Sequence, residues 1–155
     1  MVEAPEQTRF LVLRLGSVLG AVPLTSVLEV MRPLPVSPLE GVPGFVRGVS
    51  VIRGIPTPVV DLAALVTGSI LPNPSRFATL RVSGRQVALS VEGIPGIRTL
   101  KESETRGLPP LLQEASQEVV QSLATLDSEL LLVLKQSRLF SEELWPKVEN
   151  RGDTP

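Results

Sequence analysis

The sequence predicts an all-β protein in which short strands close into small barrels. Its 155 residues include 12 glycines and 15 prolines, the residue types that mark turns and interrupt helices. Between them lie short apolar runs such as Phe10–Leu15, Phe77–Val82 and Leu130–Leu134, which are typical of strands. This criterion gives about nine or ten strands. That number is too large for one small barrel, whereas two small barrels that share strands would fit the length.

Composition favours a folded protein that does no chemistry. Hydrophobic residues make up 43% of the chain and charged residues 20%, which is enough apolar material for a core. The chain contains no histidine and no cysteine, so it lacks the commonest general base, thiolate ligands and disulfides. We therefore expect no catalytic residue, no metal site and no cofactor.

The charge balance argues against other classes of protein. The chain has 15 basic and 16 acidic residues. Nucleic-acid binders and proteins that bind anionic membranes instead carry a basic surplus or patch. The longest runs without charge, Leu15–Leu28 and Leu62–Ser75, have 14 residues each, and a membrane helix needs ~18 or more. The first residues carry Glu3 and Glu6 and no basic side chain, unlike a signal peptide. We expect a cytoplasmic protein that binds no nucleic acid and does not insert into a membrane.

The first half of the chain predicts a hairpin, a strand and a loop. Phe10–Leu15 and Val18–Val22 flank the turn signal Gly16-Ser17 and so predict a hairpin. Thr25–Met31 is predicted as an extended strand with a bend. Residues 32–44 hold four prolines and predict a loop.

Two further strands are predicted at Phe45–Arg53 and Ile55–Leu62. Proline has no backbone N–H to donate to a sheet, so Pro56 and Pro58 would confine the second strand to an edge or to its own ends. One helical turn is predicted at Leu62–Val66.

The second half predicts another hairpin, in which Phe77–Val82 and Val87–Val91 flank Ser83-Gly84-Arg85. Turns are predicted at Glu92-Gly93 and Pro95-Gly96, where glycine and proline cluster.

The last predicted elements are a loop at residues 101–118, strands at Val119–Ala124 and Leu130–Leu134, and a short helix that starts at Ser141–Trp145. We place a single domain at residues 9–149, with flexible tails at residues 1–8 and 150–155.

The segment from Phe45 to Leu62 carries the most information. Gly48 and Gly54 permit close backbone approach or a positive φ. Arg53 precedes Gly54 at a hairpin tip, where a long cation is presented rather than buried. Asp61 is placed to cap the helical turn that follows.

In this segment the chain resembles the CheW-like domain family. The matching residues are Phe45, Gly48, Val49, Arg53, Gly54, Pro58, Val59, Asp61 and Leu62. Val27–Val30, Val91–Ile94 and Leu130–Leu134 also match the family pattern, in the same order along the chain. The resemblance therefore extends over about residues 9–145.

The resemblance implies two intertwined five-stranded SH3-like β-barrels around a shared core, with one or two short helices. It also implies a non-catalytic adaptor that couples chemoreceptors to a CheA-type histidine kinase in bacterial chemosensory signal transduction. The implied partners are the regulatory domain of that kinase and the cytoplasmic tip of a methyl-accepting chemoreceptor. Such an adaptor is recruited to receptor clusters at the inner membrane and is a monomer when free.

The resemblance also assigns residues to sites. Arg53, Glu29, Val27 and Ile94 are placed in the receptor groove between the barrels, and Phe45, Gly48, Gly54, Pro58 and Asp61 form the structural motif. Other interpretations stay open, since Arg53 also suits a solvated hairpin charge and Glu29 also suits an ion pair with Arg53 within the protein. Val27 and Ile94 also suit ordinary core positions.

Two rival functions remain at this point. The family pattern has asparagine where this chain has Val51, and Pro56 is an additional proline. These departures allow a specialised CheW-like scaffold for a pilus, gliding or other non-flagellar chemosensory pathway. A protein of another class, a stand-alone SH3-like barrel that binds a peptide or a small ligand, would suit the same short strands.

Overall fold

The computed structural model describes residues 6–108 and 118–150, and within them the chain forms ten strands and two short α-helices. The strands are β1 Gln7–Arg14, β2 Leu19–Pro23, β3 Val27–Met31, β4 Val46–Ile52, β5 Ile55–Asp61, β6 Arg76–Val82, β7 Arg85–Val91, β8 Gly93–Lys101, β9 Val120–Leu126 and β10 Glu129–Leu134. The helices are α1 Leu62–Thr67 and α2 Trp145–Glu149. The all-β prediction is confirmed.

The strands form two five-stranded sheets with the same topology. The sheet of the first lobe has the order β8-β1-β2-β10-β9, and that of the second lobe has the order β3-β6-β7-β5-β4. Each lobe contains one parallel pair, β2 with β10 and β5 with β7. The hairpin β1–β2 is followed by β3, which joins the second lobe, and the hairpin β6–β7 is followed by β8, which joins the first. The lobes are therefore intertwined, as predicted.

The side chains of each sheet are divided between two apolar clusters. On β1, Phe10 and Val12 pack in a cluster confined to the first lobe, whereas Leu11 and Leu13 belong to a larger core shared by both lobes. Successive residues of a strand point to opposite faces, so both faces of this sheet are covered. In the second lobe, Ile52, Val59, Phe77 and Ala88 form a third cluster. The shared core holds the two lobes together as one folded body.

Three of the hairpins are closed by two-residue turns in which both residues have a positive φ. The values are 54° and 78° for Arg53-Gly54, 50° and 79° for Ser83-Gly84, and 49° and 73° for Asp127-Ser128. This combination is that of a type I′ turn, whose twist matches the twist of paired strands. Arg53 is thereby fixed at the tip of the β4–β5 hairpin.

The sequence predicted that Pro56 and Pro58 confine their strand to an edge or to its own ends. The edge alternative is wrong, because β5 lies inside its sheet between β7 and β4, whereas Pro56 lies next to the start of β5, as the second alternative allows. Val49, which faces Pro58 across the β4–β5 pair, exchanges both of its backbone hydrogen bonds with Ser37 on its other side, at 2.8 Å each. Pro58 therefore lies at a position where the ladder with β4 has no hydrogen bond. The pairing of β5 with β7 starts only at Val59, so proline is tolerated here.

The structure also corrects the predicted elements between β7 and β9. Gly93 and Pro95-Gly96, predicted as turns, lie within β8, where Gly96 has a φ of 147° and the register with β1 shifts between Val12 and Arg14. The predicted loop at residues 101–118 begins with the last residue of β8 and a 3₁₀ turn, and its residues 109–117 lie outside the described residues.

At the N-terminus, β1 starts before the predicted domain boundary. Gln7 and Thr8 pair with Lys101 and Leu100 of β8, so these two residues belong to a strand and not to a tail. The remaining tail residues, 1–5 and 151–155, lie outside the described residues.

Candidate functional site

The candidate site is centred on an ion pair between Arg53 and Glu29. The guanidinium of Arg53 donates from Nε to Oε2 of Glu29 at 3.0 Å and from Nη2 to Oε1 at 2.8 Å. Such a two-pronged contact fixes the mutual orientation of the two groups. The side chain of Arg53 remains 74% exposed, against 28% for Glu29. The pair therefore presents a cation to solvent on an ordered side chain.

The pair also joins two parts of the second lobe that are far apart in the sheet. Glu29 lies on β3 at one edge, and Arg53 lies at the tip of the hairpin that contains β4, the other edge strand. The hydrogen bonds from Arg53 hold the pKa of Glu29 below its usual range. In the same way, the carboxylate of Glu29 raises the pKa of Arg53. Both groups stay charged at neutral pH, so the contact between the edges is kept.

A buried threonine positions the backbone of Glu29. The hydroxyl of Thr79 on β6 accepts a hydrogen bond from the N–H of Glu29 at 3.1 Å and donates to its carbonyl at 3.2 Å. Thr79 is fully buried, and the β3–β6 register shifts between Val27 and Glu29. The hydroxyl therefore satisfies backbone groups that the irregular ladder leaves unpaired.

Exposed apolar residues lie next to Glu29 and Arg53 along the chain. Leu28 and Val30, on either side of Glu29, are each 43% exposed, and Val51 and Ile55, two residues before and after Arg53, are 58% and 49% exposed. We call these four residues the apolar patch. Exposed apolar side chains close to charged ones are typical of protein-binding surfaces.

Sequence reasoning identified the ion pair but missed the apolar patch. Val49 and Val51 lie two residues apart on one face of β4, yet Val49 is 1% exposed and Val51 is 58% exposed. Val49 packs in the core shared by the lobes, whereas Val51 lies closer to the hairpin tip and belongs to none of the core clusters of the described residues. The signal in the sequence was valine at a position where the family pattern has asparagine.

The other two predicted partner-binding residues pack against the core. Val27 on β3 and Ile94 on β8 are half-buried, and both pack against the core shared by the lobes. They belong to different sheets, so they lie where the two lobes meet. The structure thus brings Arg53 and Glu29 together and places Val27 and Ile94 at the seam between the lobes.

The residues of the structural motif shape the hairpin that carries Arg53. Gly48 has a φ of 142°, and a Cβ at this position would lie 2.0 Å from the carbonyl oxygen of Ser37. Gly54 supplies the second positive φ of the tip. The motif therefore needs glycine for close approach at one position and for backbone conformation at the other.

Phe45 and Asp61 hold the two ends of the hairpin. The carbonyl of Phe45 accepts a hydrogen bond from the N–H of Asp61 at 2.7 Å, and the ring of Phe45 is half-buried against the shared core. The carboxylate of Asp61 accepts from the N–H of Ala64 at 3.1 Å and from that of Leu71 at 2.9 Å. Asp61 therefore caps α1 and ties the following loop to it.

The fold and the candidate site define a protein-interaction module. Within residues 6–108 and 118–150, no three side chains of the metal-binding types come together as a metal site would require. No helix in this part of the chain is long and apolar enough to cross a bilayer. Paired barrels with an exposed apolar patch describe a protein that works by binding other proteins.

Comparison with known proteins identifies the family. The sequence model of the CheW-like domain matches residues 9–144, and the chain belongs to this family. Chemotaxis protein CheW of Klebsiella aerogenes is 24% identical over 143 residues, which are 91% of this chain and 86% of that protein. Protein FrzA of Myxococcus xanthus is 34% identical over 110 residues, 70% of this chain and 67% of that protein.

A solved structure shows the same fold. The crystal structure of scaffolding protein TtCheW from Thermoanaerobacter tengcongensis matches with a TM-score of 0.76 at 22% identity, and the match covers 86% of this chain and 92% of that one. The prediction of paired SH3-like barrels is therefore confirmed. The match to the family model and to the curated relatives confirms the prediction of a CheW-type coupling adaptor. The family is one of non-catalytic scaffolds that couple chemoreceptors to CheA in chemosensory arrays.

Proposed function

We propose that this protein is a non-catalytic cytoplasmic adaptor that holds the cytoplasmic tip of a methyl-accepting chemoreceptor and the regulatory domain of a CheA-type kinase. The observation that carries the proposal is the exposed Arg53–Glu29 pair, together with the exposed residues of the apolar patch. Desolvated apolar contacts around an arginine are the usual anchors of protein interfaces.

The receptor contact is assigned to this surface. Arg53 can turn its remaining guanidinium donors to a carboxylate or to backbone carbonyls of a receptor helix. The apolar patch would supply the area that excludes water around that contact. Val27 and Ile94 would complete the groove from the seam between the lobes, where each keeps part of its side chain accessible.

The mechanism of coupling is geometric. An adaptor that binds receptor and kinase in one fixed register transmits a receptor movement to the kinase as a difference in binding free energy between two states. Couplings of this kind amount to ~1–3 kcal/mol. A rigid adaptor serves this purpose because a close-packed interior deforms little and so transmits movement between its two binding surfaces. The shared core makes the two lobes such a rigid body.

The direct test measures binding of the purified protein to a receptor cytoplasmic fragment and to the kinase regulatory domain from the same organism. Val51→Asp should weaken receptor binding about tenfold or more, the effect of ~1.4 kcal/mol or more at an interface centre. Ile70→Asp is the matched control, because Ile70 is 59% exposed but lies outside the patch. Failure of the unmodified protein to bind either partner would contradict the proposal.

A charge exchange separates contact from structure at the ion pair. Arg53→Glu alone would break the pair, whereas Arg53→Glu combined with Glu29→Arg would restore it with reversed polarity. If Arg53 contacts the receptor, the double variant folds normally and still binds poorly. Recovery of receptor binding in the double variant would show that the pair is structural only.

A second candidate is the specialised scaffold of a non-flagellar pathway. Identity to FrzA of Myxococcus xanthus is 34%, against 24% to CheW of Klebsiella aerogenes, and the exposed Val51 is one of the departures from the family pattern. Deletion of the gene followed by separate assays of swimming and of surface motility would distinguish the two pathways. The stand-alone barrel is disfavoured, because β3 and β8 each join the lobe of the other half of the chain.

A further inference from the structure

The register shift in β3 decides which way the side chain of Glu29 points. Val27 pairs with Leu80 of β6, and Glu29 pairs with Thr79, the residue adjacent to Leu80. Side chains two residues apart on an unbroken strand point to the same face, and residues paired across strands share a face. Leu80 and Thr79 are neighbours and point to opposite faces, so Val27 and Glu29 do so as well. The shift is therefore a bulge that reverses the alternation of β3.

Each of these two residues uses its own face of the sheet. Val27 packs against the core shared by the lobes, to which Leu80 also belongs. Glu29 accepts hydrogen bonds from Arg53 at 3.0 and 2.8 Å. An unbroken β3 that kept Val27 in place would turn Glu29 toward the shared core, where a carboxylate is costly to bury. The bulge therefore allows a residue packed on the core and a charged residue of the candidate site to lie two positions apart.

The hydroxyl of Thr79 closes the bulge. It accepts a hydrogen bond from the N–H of Glu29 at 3.1 Å and donates one to the carbonyl oxygen of Glu29 at 3.2 Å. Both main-chain polar groups of Glu29 are thus bound to one side-chain atom. Thr79 is fully buried, and β6 lies inside its sheet between β3 and β7, so this atom is held by the packed interior. It fixes the backbone from which the carboxylate of Glu29 reaches Arg53.

We propose that Thr79 is a positioning residue for partner binding, which acts through Glu29 and is itself too deeply buried to touch a partner. The hydroxyl sets the backbone of Glu29, and the carboxylate of Glu29 in turn orients the exposed guanidinium of Arg53. A side chain that is ordered before binding loses less conformational entropy in the complex. The inference rests on the proposed receptor contact, but its first step concerns the protein alone.

The first experiment measures the ion pair in the free protein. Thr79→Val keeps the shape of the side chain and removes the hydroxyl, so two main-chain groups of Glu29 lose their partner. The pair holds the pKa of Glu29 below its usual range. We expect Thr79→Val to raise this pKa toward that of a free glutamate, as followed by carboxyl NMR during an acid titration. Thr79→Ser retains the hydroxyl and should keep the pKa lowered.

Thr57→Val is the matched control, because it removes another hydroxyl from the interior of the second lobe. Thr57 is also fully buried. Its hydroxyl bonds to the carbonyl of Ile55 and to the side chain of Gln86, and not to Glu29. We expect this variant to be less stable than the unmodified protein but to keep the lowered pKa of Glu29, since a loss of stability alone does not move that pKa in the folded protein.

The second experiment measures binding of a receptor cytoplasmic fragment. Thr79→Val should weaken binding about three- to tenfold, the effect of one lost hydrogen bond, and Thr79→Ser should restore it. In an Arg53→Ala background the same substitution should have no further effect, because Thr79 acts through the pair.

Two kinds of failure can be told apart. An unchanged pKa of Glu29 in Thr79→Val, an equal rise in Thr57→Val, or unchanged receptor binding by Thr79→Val would overturn the inference and leave the proposed function standing. Failure of the unmodified protein to bind the receptor fragment would contradict the proposed function, and the inference with it.

Discussion

Gly48→Ala is the sharpest single test of the structure around the candidate site. The new Cβ would lie 2.0 Å from the carbonyl oxygen of Ser37 and 2.9 Å from Cα of Pro38. Both are backbone atoms, so no side-chain rotation can relieve the clash, and the segment at Ser37 must move away from β4. The movement breaks the two hydrogen bonds between Ser37 and Val49.

The loss of stability in Gly48→Ala can be estimated from the broken hydrogen bonds and the backbone strain. Two hydrogen bonds contribute ~0.5–1.5 kcal/mol each, and a non-glycine residue at a φ of 142° adds strain of about 1–3 kcal/mol. We expect the free energy of unfolding to fall by about 2–6 kcal/mol, a large part of the ~5–15 kcal/mol of an ordinary domain. Urea unfolding followed by circular dichroism measures it.

Two other glycines provide graded controls. Gly54 has a φ of 78° and open space around its Cβ position, so Gly54→Ala should cost only the conformational strain of about 1–2 kcal/mol. Gly44 has open space and no positive φ, so Gly44→Ala should be within ~0.5 kcal/mol of the unmodified protein. If Gly48→Ala were no worse than Gly54→Ala, the close approach of Ser37 would be refuted.

Two further predictions concern the ion pair and the shared core. Because the folded pKa of Glu29 is lowered, its pair stabilises the protein fully above the ordinary glutamate pKa of ~4.3 and loses its effect as the pH falls through the folded value. The stability difference between the unmodified protein and Glu29→Gln, measured by urea unfolding, should therefore be present at neutral pH and disappear in acid. A difference that grows in acid would contradict this assignment. In the shared core, Leu13 is fully buried whereas Leu130 is 37% exposed, so Leu13→Ala should cost ~2–5 kcal/mol and Leu130→Ala clearly less. Both lobes should unfold in one transition, and two separate transitions in Leu13→Ala would argue against a single shared core.

Most strands could be predicted because their signals are local. The glycine in each of the turns Arg53-Gly54 and Ser83-Gly84 predicted a hairpin tip, because glycine adopts a positive φ without strain. The Asp127-Ser128 tip has the same backbone form without a glycine, so the sequence carried no comparable mark there. β8 was missed for the opposite reason, because Gly93 and Gly96 suggest turns although the segment pairs with β1, a strand far away in sequence.

The candidate site was predicted only in part, because exposure depends on tertiary structure. The resemblance to the CheW-like family pointed to Glu29 and Arg53 as site residues, and an ion pair between them was one of the interpretations that the sequence left open. Val49 and Val51 share one face of β4, but only Val49 is covered by the shared core, and alternation within the strand cannot reveal this. Proline is tolerated at position 58 because the pairing of β5 with β7 starts only at Val59. The sequence alone does not show where this pairing starts.

The internal repeat explains how one small protein can offer two different surfaces. In the second lobe, the strand that crosses between lobes, β3, carries Glu29 against Arg53 at a hairpin tip, with a distance of 2.8 Å. In the first lobe, the equivalent strand β8 carries Arg98, which lies 4.0 Å from Asp127 at the equivalent tip. Exposed apolar residues flank this second pair as well, Ile97 at 45% and Leu130 at 37%.

The two tips thus share a design and differ in the sign of the charge they present. Arg53 is the more exposed partner in one pair and Asp127 in the other, so the two tips favour partner surfaces of different charge. Two lobes with the same fold but opposite charges at their hairpin tips can offer two docking surfaces of different specificity on one rigid body. Such an arrangement suits an adaptor that holds two unlike proteins at once, as the proposed function would need.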